Sequence, residues 1–294
     1  MLSEKSKAIG FILLAAFGFA LMSTFVHLAG DLPPIQKAFF RNLVAMFVAA
    51  GVMAREKVSP RWKKGDLPLL LMRSICGTLG IFFNFYAIDH LLLADANILN
   101  KMSPFFAILF SFIMLRERAN ALQYLAVLAA FGGSMLIVRP GFSAEAFPAI
   151  IGLLGGVSAG AAYTAVRALT QRGEESARIV FFFSAFSMLA CVPSMLFNFH
   201  PMTVQQTLCL LGAGAAATLG QFGMTLAYSH APAKEISVFD YTQVLFSAVL
   251  GFFLFDQVPD GWSVLGYVVI CGVSVLVFFY DRVMESREQA RGGV

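Results

Sequence analysis

The stretch LLLADANILNKMSPFFAILFSFIMLRER, Leu91 to Arg118, is one apolar run closed by charge, with Lys101 in its middle. At 1.5 Å per residue, a helix from about Leu93 to Leu115 crosses a hydrocarbon core of about 30 Å. Lys101 then lies eight or nine residues in, about 12–14 Å deep. An ammonium at that depth costs about 2.5–3.5 kcal/mol on insertion scales. To reach water, its stem would have to cover most of a leaflet. A polar cavity inside a helical bundle is the less costly solution, and it requires the rest of the chain to supply that bundle.

Reading outward gives ten apolar runs, at roughly 8–29, 34–54, 67–88, 93–115, 121–138, 148–169, 179–199, 206–228, 236–255 and 263–280. Of the 294 residues, 59% are hydrophobic and 13% charged, about half the charged share of a soluble domain. The expectation is an all-α integral membrane protein with ten transmembrane helices. Sustained alternation is absent, which excludes a β-barrel. The basic residues sit in short separated clusters, which excludes a nucleic-acid partner. Cys76, Cys191, Cys209 and Cys271 each lie in apolar sequence without C-x-x-C spacing and read as small buried hydrophobes. The first run, nearly span length and followed by many more, reads as a retained helix rather than a cleaved signal. No H-E-x-x-H, G-x-S-x-G or phosphate loop occurs. The expectation is therefore no enzyme, no metal, no cofactor and no ATP-driven pump.

Charge sets the orientation. Sixteen of the 21 Lys and Arg residues flank one face of the ten spans, Arg139 alone flanks the other, and Lys37, Arg41, Arg73 and Lys101 fall within spans or at their edges. That asymmetry places both termini in the cytoplasm, with a bacterial inner membrane as the expected location.

The halves match weakly at a shift of about 140 residues. GTLG (Gly77–Gly80) meets ATLG (Ala217–Gly220), Glu117 falls on Asp256, and Gly133 falls on Gly272. Five spans per half is an odd number, so the second copy must be inserted upside down, a recurrent transporter plan. The basic residues ending span four have no counterpart after span nine, as inversion requires. The expected units are residues 1–141, the inverted copy 142–281, and a cytoplasmic tail 282–294.

RSICGTLGIFFNFYAI (Arg73–Ile88), the Leu91–Arg118 stretch, GGSMLIVRPG (Gly132–Gly141) and LAYSHAPAKEISVFDYTQVLFSAVLGFFLFDQ in the second half carry a resemblance. The chain resembles the drug/metabolite transporter superfamily, in its ten-helix EamA-type group, from Ala8 to Tyr280. Pro104 and Glu117 match that group's Pro within a span and Glu just past its end. In the second half Gln243 stands for the Pro and Asp256 for the Glu, which suggests a straighter span nine. The resemblance implies a secondary transporter with a cavity lined by spans one, three, four, six, eight and nine, and it implies no particular substrate.

Shifting Lys101 by 139 lands on Asp240, so each half contributes one buried charge at an equivalent place. The functional reading is a pair that binds substrate, Lys101 toward a carboxylate or phosphate and Asp240 toward an amine or proton. The plain alternative is a permanent ion pair that only positions the spans. Asn97, Asn100 and Lys101 share a helical face by spacing, as do Asp240 and Gln243. Asn84, Tyr86, Gln221 and Tyr163 complete the candidate binding set. Arg73, Arg41, Pro104, Glu117 and Asp256 are candidates for gating or structural roles. IVFFFSAF (Ile179–Phe186) reads as lipid-facing or packing sequence, and His27 as an interfacial histidine.

The function these residues support is alternating-access transport of a small polar or amphipathic organic solute, an anion or zwitterion, by a monomer or homodimer in the bilayer, with protons or exchange as the coupling. The competing readings are a non-transporting membrane assembly protein and an exporter of hydrophobic drugs or lipid-like cargo.

Overall fold

The computed structural model describes residues 4–115, 121–138, 146–230 and 239–291. Its elements are helical: α1 (Glu4–Leu28), α2 (Pro34–Arg55), α3 (Leu67–His90), α4 (Leu93–Asn100), α5 (Ser103–Leu115), α6 (Ala121–Val138), α7 (Ala146–Gln171), α8 (Ser176–Phe197), α9 (Val204–His230), α10 (Thr242–Phe255) and α11 (Gly261–Arg291). Among the described residues, seven segments are long and apolar enough to cross a membrane: α1, α2, α3, the combined α4–α5 stretch, α7, α8 and α9.

The polarity is inverted relative to a soluble protein. Phe47, Leu128, Leu196, Phe253 and Val268 lie on the outside, while Lys37, Arg41, Arg73, Lys101 and Asp240 are buried. An apolar rim around a charged interior is the arrangement that lipid selects, since ionisable side chains in a bilayer face the bundle.

Helix packing is symmetric under exchange of the halves. α1 lies along α9 as α3 lies along α7; α2 packs on α8, and α6 on α11. Contacts of α4 and α5 with α7 correspond to those of α10 with α1. This is the pattern of an inverted repeat. Small residues set the closest approaches, as expected where no hydrophobic force joins helices. A Cβ on Gly18 would meet the Gly220 nitrogen at 2.8 Å and the Ala216 carbonyl at 2.9 Å. At the equivalent contact of α3 with α7, a Cβ on Gly80 would lie 3.4 Å from the Ala159 nitrogen.

The stretch read as one span at 93–115 is two helices. Pro104 has no N–H, and its ring excludes the carbonyl four residues back, that of Asn100. The chain tightens there, with Met102 N bonding Leu99 O at 3.2 Å, and restarts at Ser103. In span nine, described from Phe239 on, a turn at Tyr241 separates Phe239 and Asp240 from α10. A tightened turn, Val244 N to Tyr241 O at 2.9 Å, and the Thr242 hydroxyl on Phe239 O at 2.6 Å make the interruption without proline.

Loops tie the bundle at both ends. At one, Lys63 Nζ donates to Gly173 O at 2.7 Å and Arg172 pairs with Asp66 at 3.0 Å. At the other, Gln36 and the His200 backbone exchange two hydrogen bonds, of 2.9 and 3.0 Å.

Candidate functional site

The two helix interruptions meet. Lys101 Nζ lies 2.7 Å from Asp240 Oδ1, both side chains nearly inaccessible. Directly beside this pair, the Tyr241 hydroxyl donates to the Lys101 carbonyl at 3.0 Å. That carbonyl is free because Phe105 N bonds Met102 O instead, a direct result of the Pro104 break. The residues joined, 101 with 240 and 241, are repeat equivalents, so the contact lies where the symmetry of the halves brings them together.

A cavity of about 60 Å³ adjoins the pair, room for a few water-sized groups at ~10–15 Å³ each. Lys101, Asn100, Gln243, Asn84, Gln221 and Tyr163 all line it. Arg41 and Arg73 line it too. Their sequence positions suggested places nearer the span ends. Arg41 is seven residues past Pro34 and Arg73 six past Leu67, about 9–11 Å along antiparallel helices, and the two converge. Arg73 Nη2 donates to Gln221 Oε1 at 3.0 Å, and Arg41 Nη1 to Asn42 Oδ1 at 2.7 Å. Arg73 does not reach Asp66, which Arg172 holds.

Other candidates are placed elsewhere. Asn97 does not line the cavity with Asn100 and Lys101, although Lys101 N bonds Asn97 O at 3.0 Å in helical register. It is fully buried, accepting from Gln243 Nε2 at 2.7 Å and Ser23 Oγ at 3.1 Å, and it stitches α4 to α10 and α1. Tyr86 stacks on His90 at 4.2 Å and meets Phe147 edge-on, away from the cavity lining. Pro104 opens α5, and Asp256 caps α10 in the left-handed region at φ 51°. Glu117 lies outside the described residues.

Phe183 is the residue that sequence reading missed. It belongs to the IVFFFSAF run assigned to lipid and packing, yet its ring is 1% exposed and lines the cavity. The Arg73 guanidinium carbon lies 3.8 Å from the ring centroid and that of Arg41 5.7 Å, both within cation–π range. The available signal was two arginines deep in apolar helices, which need an aromatic face or an anion nearby.

At the bundle end carrying His90 and Leu93, polar ties are dense. Lys37 pairs with Asp89 at 2.5 Å, and Gln257 Oε1 accepts from Leu93 N at 2.9 Å. The Tyr267 hydroxyl and Ser263 both bond Asp95. Among the described residues, no group of three or more His, Cys, Asp or Glu comes together as metal ligands would.

A lipid-adapted bundle of two inverted halves, with charged groups gathered around an internal cavity, defines a secondary transport protein. The chain belongs to the EamA-like transporter family, whose model matches residues 6–139 and again 146–279, once per half. Members are transporters, and this chain is a transporter rather than an enzyme. The pseudopaline exporter CntI of Pseudomonas aeruginosa is 36% identical over 260 residues, 87% of this chain and 90% of that protein. An uncharacterized transporter of Helicobacter pylori is 27% identical over 278 residues, 92% and 93% of the two chains. A protein of known crystal structure superposes with a TM-score of 0.72 at 17% identity, covering 94% of this chain and 98% of that one, and so shares the fold. The protein is a multi-pass membrane protein of bacterial type.

Proposed function

We propose that the chain carries a small polar organic anion or zwitterion across a bacterial inner membrane by alternating access, in the export direction. Ten spans form two inverted repeats, 1–141 and 142–281, with both termini and the 282–294 tail in the cytoplasm. The observation that carries the reading is the Lys101–Asp240 pair, joining repeat-equivalent breaks beside an internal cavity. A broken helix at mid-membrane frees backbone groups and supplies a flexible point, as carriers use at their sites.

The pair supports a cycle. A substrate carboxylate competes for Lys101, which releases Asp240 to take a proton or an ammonium group. Loss of the ion pair then loosens the contact between the halves, and the ties at the His90–Leu93 end open. Export is supported by the name of the relative that matches nine-tenths of its own length.

The test is flux. Full-length protein in liposomes is challenged with pooled labelled amino acids, carboxylates and related metabolites, comparing wild type with Lys101→Ala and Asp240→Asn. Flux that falls to background in both variants supports the site. Undiminished flux in both removes it, and no flux for any solute removes the transport reading.

A further inference from the structure

Five cationic side chains are buried among the described residues: Lys37, Arg41, Arg73, Lys101 and Arg178. Three have a carboxylate: Lys37 pairs with Asp89, Lys101 with Asp240 and Arg178 with Glu174. Arg41 and Arg73 do not. Their hydrogen bonds go to neutral amide oxygens, and the Nε of each is buried with no acceptor among the described residues. Both are nearly inaccessible, both line the cavity, and both lie over the one Phe183 ring. The local sequence makes room for this. Position 77 is glycine, and a Cβ there would collide with the Arg73 guanidinium and come within 2.7 Å of Phe183.

We infer that Arg41, Phe183 and Arg73 form a recognition site for a solute bearing two carboxylate groups. This deepens the transport reading and rests on the cavity being the substrate's path. The charges decide the class. Lys101 and Asp240 cancel, which leaves the cavity wall with two uncompensated positive charges. A buried charge without a partner is strongly unfavourable, and a solute with two negative charges removes both penalties at once. Each guanidinium offers a planar fork that matches one carboxylate. Two forks on two helices, both beside the Phe183 ring, take two carboxylates of one molecule better than one compact anion. Phe183 contributes in two ways. Its face partly compensates the guanidiniums when no anion is near, and its edge is an apolar floor for the carbon chain between the acid groups.

The site differs from the Lys101–Asp240 pair in what it does. The pair joins the halves and breaks in the cycle. The arginines are on α2 and α3 of one half, and they select the cargo.

The experiment measures thermal stabilisation of the detergent-solubilised full-length protein by glutarate, glutarate monoamide, butyrate and inorganic phosphate. Glutarate is expected to bind about tenfold tighter than its monoamide, or ~1.4 kcal/mol, with butyrate weaker still. Arg41→Gln and Arg73→Gln are each expected to erase the preference. Arg73→Lys is expected to keep part of it, because charge survives while the fork is lost. The wild-type comparison needs no variant, so a variant that fails to fold leaves the proposal testable. Equal binding of glutarate and its monoamide overturns the proposal, as does binding by none of the four. Phosphate binding as tightly as glutarate overturns the two-carboxylate class. Counterflow of labelled glutarate in liposomes separates the two readings. Selective binding without flux removes transport and leaves the site, whereas flux that does not distinguish diacid from monoamide does the reverse.

Discussion

Replacing Asp240 with Ala strands Lys101, whose 2.7 Å partner is gone and whose surroundings exclude solvent. Breaking one side of a buried pair typically costs about 3–5 kcal/mol, because the surviving charge is left uncompensated. Substituting both partners with apolar residues of similar size is often neutral or stabilising. The double variant Lys101→Met with Asp240→Leu is therefore expected to unfold near wild type, while Lys101→Met and Asp240→Leu alone each fall by several kcal/mol. With singles of about 3–5 kcal/mol each and a double near zero, the coupling read from that cycle should be about 6–10 kcal/mol. Equilibrium unfolding of the micelle-solubilised protein measures it, and flux measured in parallel should be lost in all three. A coupling near the ~0.6 kcal/mol average for interhelical hydrogen bonds in membranes would refute the reasoning. So would a double variant that is destabilised by the sum of the singles.

Smaller perturbations test other parts of the fold. Gly18→Leu pushes against the α9 backbone at Gly220 and Ala216 and should lose about 1–3 kcal/mol. Gly51→Ala meets nothing within 4 Å and should leave thermal stability unchanged or raised. Tyr241→Phe removes the hydroxyl bond to the Lys101 carbonyl and should cost about 0.5–1.5 kcal/mol, read by the same unfolding assay. Asp256 holds φ at 51°, so Asp256→Gly should be neutral or stabilising and Asp256→Val should lose about 1–2 kcal/mol. A purely local effect of this kind would leave flux unchanged and assign Asp256 to the helix end rather than to a gate.

The ion pair was legible in the chain because the repeat gives a coordinate. Once Lys101 is too deep to snorkel, the shift of 139 points to Asp240. Asn84, Gln221 and Tyr163 were legible because polar groups mid-span are few. The convergence of Arg41, Arg73 and Phe183 was not. It depends on how α2, α3 and α8 cross, and neither arginine has a charged repeat equivalent to give it away. Asn97 misled for a different reason. Helical register from Asn97 to Lys101 holds, with Lys101 N on Asn97 O, but spacing does not tell that Gln243 and Ser23 take up the Asn97 amide oxygen. The span-nine interruption had no proline to announce it. It arises from side-chain bonds, the Thr242 hydroxyl to a local carbonyl and the Tyr241 hydroxyl to the opposite half.

Two bonds of opposite sense link the crossing breaks: the ammonium of residue 101 reaches residue 240, and the phenol of residue 241 reaches back to the backbone at 101. Neither can stretch far without rupture, and they share one residue, so the rotation that severs one severs the other. Separation of the halves should therefore proceed as a snap rather than a glide, with few molecules caught part-way and a sharply defined threshold of bound cargo needed to trigger it.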